Sequence, residues 1–298
     1  MKIENILVVY KKSILEIYTE KGQNVLKKYI EENDASLFDM QENHNVHNLT
    51  LNKVKRLFDG ANIVYRGEMN EGLLSNYKMV VAVGGDGTVL DISHYIFDDT
   101  PIFAVNSTKG ITNGSEGFFC AASEFDLEEK AEMLFREELS EVKLNRMEVL
   151  IDGKRINEYA LNDVLIAHSH PAAMSRYSIK LDGYEEKQRS SGIWVCTAAG
   201  STAATFSSGG KVMPIDSDEL QYVVREPPNG RTNRYNLLKG MADSLELKSG
   251  MREGMVYVDG RHIEYNLPIG SRLIAQISDE PLIILGFDKE NRKKYFER

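Results

Sequence analysis

Gly84-Gly85-Asp86-Gly87-Thr88 sets a carboxylate among three glycines, and that combination suits phosphoryl transfer to an alcohol. Glycine lets a backbone take positive φ and lets a ligand come close. The open N–H groups of a turn leading into a helix attract anions. A carboxylate in such a cradle repels phosphate unless it takes a proton from an attacking hydroxyl or holds a metal. Asp86 is therefore the candidate general base, with Gly84, Gly85, Gly87 and Thr88 as candidate phosphate ligands. The run lacks the Gly-Lys-Ser/Thr of a Walker loop and the G-x-G-x-x-G of a dinucleotide fingerprint. The competing reading is an ordinary glycine-rich turn.

A second cluster runs from Ser190 to Ala204, where an apolar strand gives way to small and hydroxyl residues. Ser201 or Thr202 is placed to cap a helix over 202–208, and small residues admit a flat base. Read alone, it is equally a capped helix beside tight packing. Asn162-Asp163 sets an amide beside a carboxylate at a strand start, suited to ribose hydroxyls or to a turn. His168 and His170 have no partner at metal spacing, so no protein metal site is expected. Arg176, Lys187 and Arg189 suit phosphate or are solvated side chains.

The elements around these residues change midway. Apolar runs at 6–10, 63–65, 79–83 and 102–105 read as strands. Helical spacing covers 14–31, a stretch through Leu51 to Phe58 ended by Gly60, 88–97, and one from Leu127 behind an Asp126/Glu129 capping box. Alternation of strand and helix implies a parallel sheet, with Asp86 at the carboxyl end of a strand where such sheets bind ligands. Beyond about residue 140, short Val-, Ile- and Tyr-rich runs (142–151, 160–167, 175–182, 192–197, 220–224, 255–258, 272–277) alternate with turns such as Asp259-Gly260. The expected fold is an α/β N-terminal domain over 1–139, to which 281–298 returns, and an all-β, sandwich-like C-terminal domain over 140–280.

The 298 residues suffice for two cores, and the formal charge of −9 argues against nucleic acid or an anionic membrane as partner. No apolar run reaches membrane-spanning length, and 1–12 does not read as a signal peptide. Cys120 and Cys196 are expected as reduced, buried thiols of a cytoplasmic protein.

The clusters, in this order and spacing, resemble the NAD kinase family. Gly84–Thr88 is similar to its GGDGT motif, Asn162-Asp163 to its Asn-Glu motif with Asp for Glu, and 191–204 with Ser208-Gly209-Gly210 to its glycine-rich segment. The stretches 256–260, 268–271 and 280–285 resemble its closing strands. The sequences ALNDVLIAH at 160–168 and CTAAGSTAA at 196–204 are most similar to the plant-type NADH kinase branch. Departures from common bacterial members are Ser191 for Asp, Ala198 for Pro and Ala204 for Tyr.

The resemblance implies ATP-dependent phosphorylation of the adenosine ribose 2′-hydroxyl of NAD⁺ or NADH, with Mg²⁺ or another divalent cation accompanying ATP. It implies the two-domain NAD kinase-like fold and a homodimer or homotetramer. It assigns Asp86 as base and Asn162, Asp163, Ser191, Thr197, Ala199, Thr202 and Ala203 to the dinucleotide. The plant-type branch favours NADH, and Ser191 stands where a carboxylate would attract the cationic nicotinamide, so NADH is expected to be accepted at least as well as NAD⁺. Two other readings stay open: a GGDGT-type lipid kinase, and a catalytically silent dinucleotide-binding regulator.

Overall fold

The computed structural model describes residues 2–20, 22, 26, 32, 35–70, 72–111, 114–228 and 235–289. These fall into two compact units, one formed by residues up to 142 with 283–289, the other by 143–228 with 235–282.

In the first unit the apolar runs become strands β1 (Ile6–Tyr10), β2 (Asn62–Tyr65), β3 (Met79–Gly84), β4 (Ile102–Asn106), β5 (Ala122–Ser123) and β6 (Glu141–Leu144). Leu282–Leu285, the last of the described strands (β19), completes a seven-stranded sheet of order β2-β1-β3-β4-β19-β6, with β5 also on β4. β1, β2, β3 and β4 are parallel, as is β19 through Ile284 and Ile102. β3 is buried along its whole length, which explains its unbroken apolar run.

The helices are α1 (Ile14–Glu20), α2 (Ala35–Leu57), α3 (Asp86–Ser93) and α4 (Leu127–Phe135). The reading of 14–31 as one helix extends past the described residues. α2 starts well before Leu51, and Gly60 follows it at φ +92°. Leu51, Val54 and Phe58 pack with Val81, Phe103 and Leu127 in the core of this unit. The expected capping box at Asp126 is not formed. Its Oδ1 turns back to accept Ser123 N–H at 2.6 Å and Ser123 Oγ at 2.7 Å, and the side chain makes no hydrogen bond to the helix start.

The second unit holds β7 (Met147–Ile151), β8 (Lys154–Arg155), β9 (Asp163–His168), β10 (Ser175–Leu181), β11 (Tyr184–Ser190), β12 (Ile193–Cys196), β13 (Leu220–Val224), β14 (Lys239–Ala242), β15 (Ser244–Ser249), β16 (Gly254–Val258), β17 (Ile263–Asn266) and β18 (Arg272–Ile277). They form two six-stranded antiparallel sheets, β11-β10-β15-β18-β7-β8 and β14-β13-β12-β9-β16-β17. Alternate residues of both sheets, among them Ile179, Leu247, Leu273, Ile166, Val195 and Val256, share one core, giving a sandwich. The run 142–151 is two strands, not one. Fully buried Arg146 separates them, its Nε donating to the Glu280 carbonyl at 2.7 Å. Among the described residues no helix is long and apolar enough to cross a membrane.

Candidate active site

β3 delivers Gly84 and Gly85 to the carboxyl edge of the sheet, and α3 begins at Asp86. A methyl group at Gly84 would strike Thr88 Oγ1, and one at Gly85 would strike Ser115, so both positions require glycine. Thr88 is buried, with Oγ1 enclosed and lacking a hydrogen-bond partner. Gly87 is exposed.

Asp86 closes this turn onto the loop 115–119. Its Oδ2 accepts Gly117 N–H at 3.1 Å and Ser115 Oγ at 3.2 Å, and its Oδ1 accepts Phe119 N–H at 3.0 Å. Each carboxylate oxygen has two lone pairs. Oδ2 is therefore saturated, while Oδ1 keeps one acceptor site for a proton. Sequence reasoning missed this anchoring role, because the contact joins residues about 30 positions apart.

A cavity of about 500 Å³ opens beside the glycines. Its wall includes Lys11, Arg66, Asp39, Asn43 and His47. Lys11 follows β1, where its N–H donates to the Val83 carbonyl at 3.1 Å. Burial lowers the Lys11 pKa, and neighbouring Arg66 lowers it further. His47 Nδ1 lies 2.8 Å from Ser107 Oγ, and Ser107 donates to the Gly84 carbonyl from both its N–H, at 2.7 Å, and its hydroxyl, at 3.2 Å. Burial, then the Lys11 charge, lowers the His47 pKa to about 4. The imidazole is therefore neutral near pH 7, and positive charge at the cavity rests on Lys11, Lys12 and Arg66. Lys12 is held by Glu20 at 2.7 Å and Arg66 by Asp91 at 2.8 Å. Phosphate is the complementary ligand. None of Lys11, Arg66 or His47 stood out in the sequence.

The second cluster lies in the other unit. Thr197 N–H donates to the Asn162 carbonyl at 3.0 Å, and Thr197 Oγ1 to the Leu161 carbonyl at 2.5 Å. Gly200 packs so closely that a methyl there would strike the Asn162 carbonyl. Ala199 is buried, while Thr202 and Ala203 are partly exposed at the end of a 3₁₀ turn, Ala199–Thr202. Neither Ser201 nor Thr202 caps a helix over 202–208. Ser201 Oγ instead donates to the Ala198 carbonyl at 2.8 Å and accepts Met213 N–H at 2.9 Å, and only Ala204–Ser207 is α-helical.

Asn162 Oδ1 is buried with no partner. Asp163 is registered opposite Cys196, and burial followed by the Asp259 charge raises its pKa to about 7. Asn162, Asp163, Thr197, Ala199, Thr202 and Ala203 thus gather at one end of β9 and β12. Ser191 does not. Five positions along the chain separate it from Cys196, about 16 Å at strand rise. Ser191 Oγ donates to Glu226 Oε2 at 2.5 Å. The Ser191 hydroxyl thus stands beside the exposed Glu226 carboxylate.

No family model matches the chain. A probable NADH kinase of Oryza sativa subsp. japonica is 34% identical over 268 residues, 80% of this chain and 80% of that protein. An NADH kinase of Arabidopsis thaliana is 34% identical over 231 residues, 70% of this chain and 73% of that protein. Among solved structures, an NAD kinase from Archaeoglobus fulgidus in complex with ATP has a TM-score of 0.64 at 20% identity, covering 98% of this chain and 97% of that one. Yeast NADH kinase complexed with NADH has a TM-score of 0.67 at 15% identity, covering 99% and 86%. The solved structures establish the fold, and with the plant relatives matched over most of their length, this chain belongs to the NAD kinase family.

Proposed function

We propose that this protein transfers the γ-phosphoryl group of ATP to the adenosine ribose 2′-hydroxyl of NAD⁺ or NADH. The ribose oxygen attacks the γ-phosphorus, the bond to the β-phosphate oxygen breaks, and ADP leaves. Asp86 Oδ1, with its open acceptor site, takes the hydroxyl proton. The single observation that carries this assignment is that Asp86 opens the helix at a glycine turn whose Gly85, Gly87 and Thr88 border a cationic cavity. Gly85, Gly87 and Thr88 border the cavity and would hold the donor phosphates, with Gly84 closing the turn beneath Thr88. Lys11 and Arg66 would neutralise them. The cluster of Asn162, Asp163, Thr197, Ala199, Thr202 and Ala203 would bind the dinucleotide, with the orphaned Asn162 Oδ1 awaiting a donor. Ser191 would touch a part of it remote from that cluster.

Mg²⁺ favours one or two carboxylates plus substrate phosphates over a cage of side chains. Asp39 on the cavity wall and the phosphate loop fit that donor set, and no group of three ligating side chains occurs among the described residues. When bound, the ion spreads the negative charge that develops on the transferred group. We further place the protein in the cytoplasm as a homodimer or homotetramer.

The test is turnover of γ-labelled ATP with NAD⁺ or NADH, the product read by an NADP-specific dehydrogenase. Asp86→Asn removes the base and turns an amide NH₂ towards one of the loop N–H groups that the carboxylate held, so kcat should fall by about 10²–10⁴, while dinucleotide binding, carried by the other cluster, should change less. Label that extracts into organic solvent would instead indicate a lipid acceptor. Tight dinucleotide binding without turnover would indicate a silent regulator.

A further inference from the structure

Positive charge on one face of the second unit lies outside the cavity that borders the GGDGT loop. β10 and β11 pair so that Arg176 stands directly opposite Arg189. One row along, Ser178 stands opposite Lys187 on one side and Lys248 on the other. Tyr177 and Ile179, which alternate with them on β10, lie in the sandwich core, so these five residues face outward. The four cations are exposed and Ser178 is buried between them.

Like charges directly opposite on a ladder destabilise it. Among the described residues none of the four cations forms an ion pair. Two carboxylates stand one row further along the same ladder. Glu246 is already bound to Lys180 at 3.0 Å and Arg272 at 3.3 Å, and Glu185 is registered opposite Lys180. The whole chain is acidic, with a formal charge of −9, so a cationic cluster runs against its composition. The four side chains also line one concavity of about 670 Å³, with Glu185, Gln188 and Tyr235 at its border.

We propose that this concavity binds a di- or triphosphate group, at a site made of different residues from the GGDGT loop. Arginine presents a planar fork that matches two phosphate oxygens, and lysine adds point charge. Four cations in two adjacent rows call for several negative charges in a short span, which a single carboxylate does not supply. The volume falls in the range of small-molecule sites. The polyphosphate can be free or the tail of a nucleotide, and the two sources share this chemistry.

The experiment is calorimetric titration of the full chain with inorganic tripolyphosphate and, separately, with ATP, at low and moderate salt. Two sites per chain are expected for tripolyphosphate. Arg176→Ala/Lys248→Ala should weaken one of them at least tenfold and leave the other, while Lys11→Ala should weaken only the other. Arg176→Lys/Lys248→Arg, which keeps the charge, should retain both. Equal competition by ATP points to the polyphosphate tail, and tighter ATP binding to a nucleotide; both support the site. A double-alanine variant that titrates like wild type overturns it, as does a single wild-type site that Lys11→Ala alone weakens; a single site that only the double-alanine change weakens supports it and counts against the GGDGT loop instead. Because the altered side chains are exposed, circular dichroism should show an unchanged fold.

Discussion

The Asp259 carboxylate holds the backbone of Asn162 from 97 residues away, accepting its N–H at 2.8 Å on Oδ1. The same oxygen accepts Asp163 N–H at 2.9 Å, and Oδ2 accepts Leu161 N–H at 2.7 Å. Asp259 itself sits at φ +47°, a conformation that Asp and Asn tolerate best among residues with a Cβ. Asp259→Ala leaves three N–H groups without their acceptor and should cost about 3 kcal/mol in urea unfolding. KM for the dinucleotide should rise with it. Asp259→Asn keeps one acceptor oxygen and should lose less of both.

Stability should depend on pH through Asp163. Its pKa rises from 3.8 to about 7 on folding, so the folded state holds a proton that the unfolded chain has released. That contribution is complete below pH 4 and is lost as pH climbs towards 7. Asp163→Asn should remove this slope and stabilise the protein at pH 8, by an amount on the order of a few kcal/mol. His47 acts in the opposite sense. Its pKa falls to about 4, so its contribution is complete above pH 6.5 and lost as pH falls towards 4. Urea midpoints from pH 4 to 8 for wild type, Asp163→Asn and His47→Gln separate the two. A wild-type slope unchanged in Asp163→Asn would reject the assignment.

Gly200→Ala should act on the substrate site. The added methyl meets the Asn162 carbonyl, and backbone cannot swing away as a side chain does. Overpacking of this kind costs about 1–3 kcal/mol. The expected kinetic signature is a raised dinucleotide KM with the KM for ATP unchanged.

Discrimination between NAD⁺ and NADH should respond to Glu226. With Ser191 touching the dinucleotide as proposed, the exposed Glu226 carboxylate hydrogen-bonded to it attracts the cationic nicotinamide. Exposed ion pairs contribute up to about 1 kcal/mol. Glu226→Gln should therefore lower the NAD⁺:NADH ratio of kcat/KM by about threefold at fixed salt. An unchanged ratio would put the carboxylate outside the nicotinamide's reach.

The parallel core strands were legible because burial on both faces makes them continuous apolar runs, as at 79–83. β11 was not, since its inward residues are Glu186, Gln188 and Ser190 instead of apolar ones. They form a buried polar network in which Glu186 accepts Asn236 N–H at 2.8 Å and Leu237 N–H at 3.1 Å, so the strand lacks the usual alternation. The GGDGT turn was legible because its glycines and carboxylate are contiguous. Ser115, Lys11 and Asp259 were not, because their partners are distant in sequence. Asp259 showed only as half of an Asp-Gly turn.

The placement of β19 between β4 and β6 bears on synthesis. A ribosome reaches Leu282 only after making the entire second unit, which takes on the order of ten seconds at ordinary translation rates. Throughout that interval the nascent first unit presents β4 with part of its hydrogen-bonding edge unmet, a template for pairing with other chains. A fragment cut at 144, the end of β6, would carry the same open edge permanently. Recombinant dissection should therefore graft 282–289 behind residue 144 through a linker, restoring the missing strand.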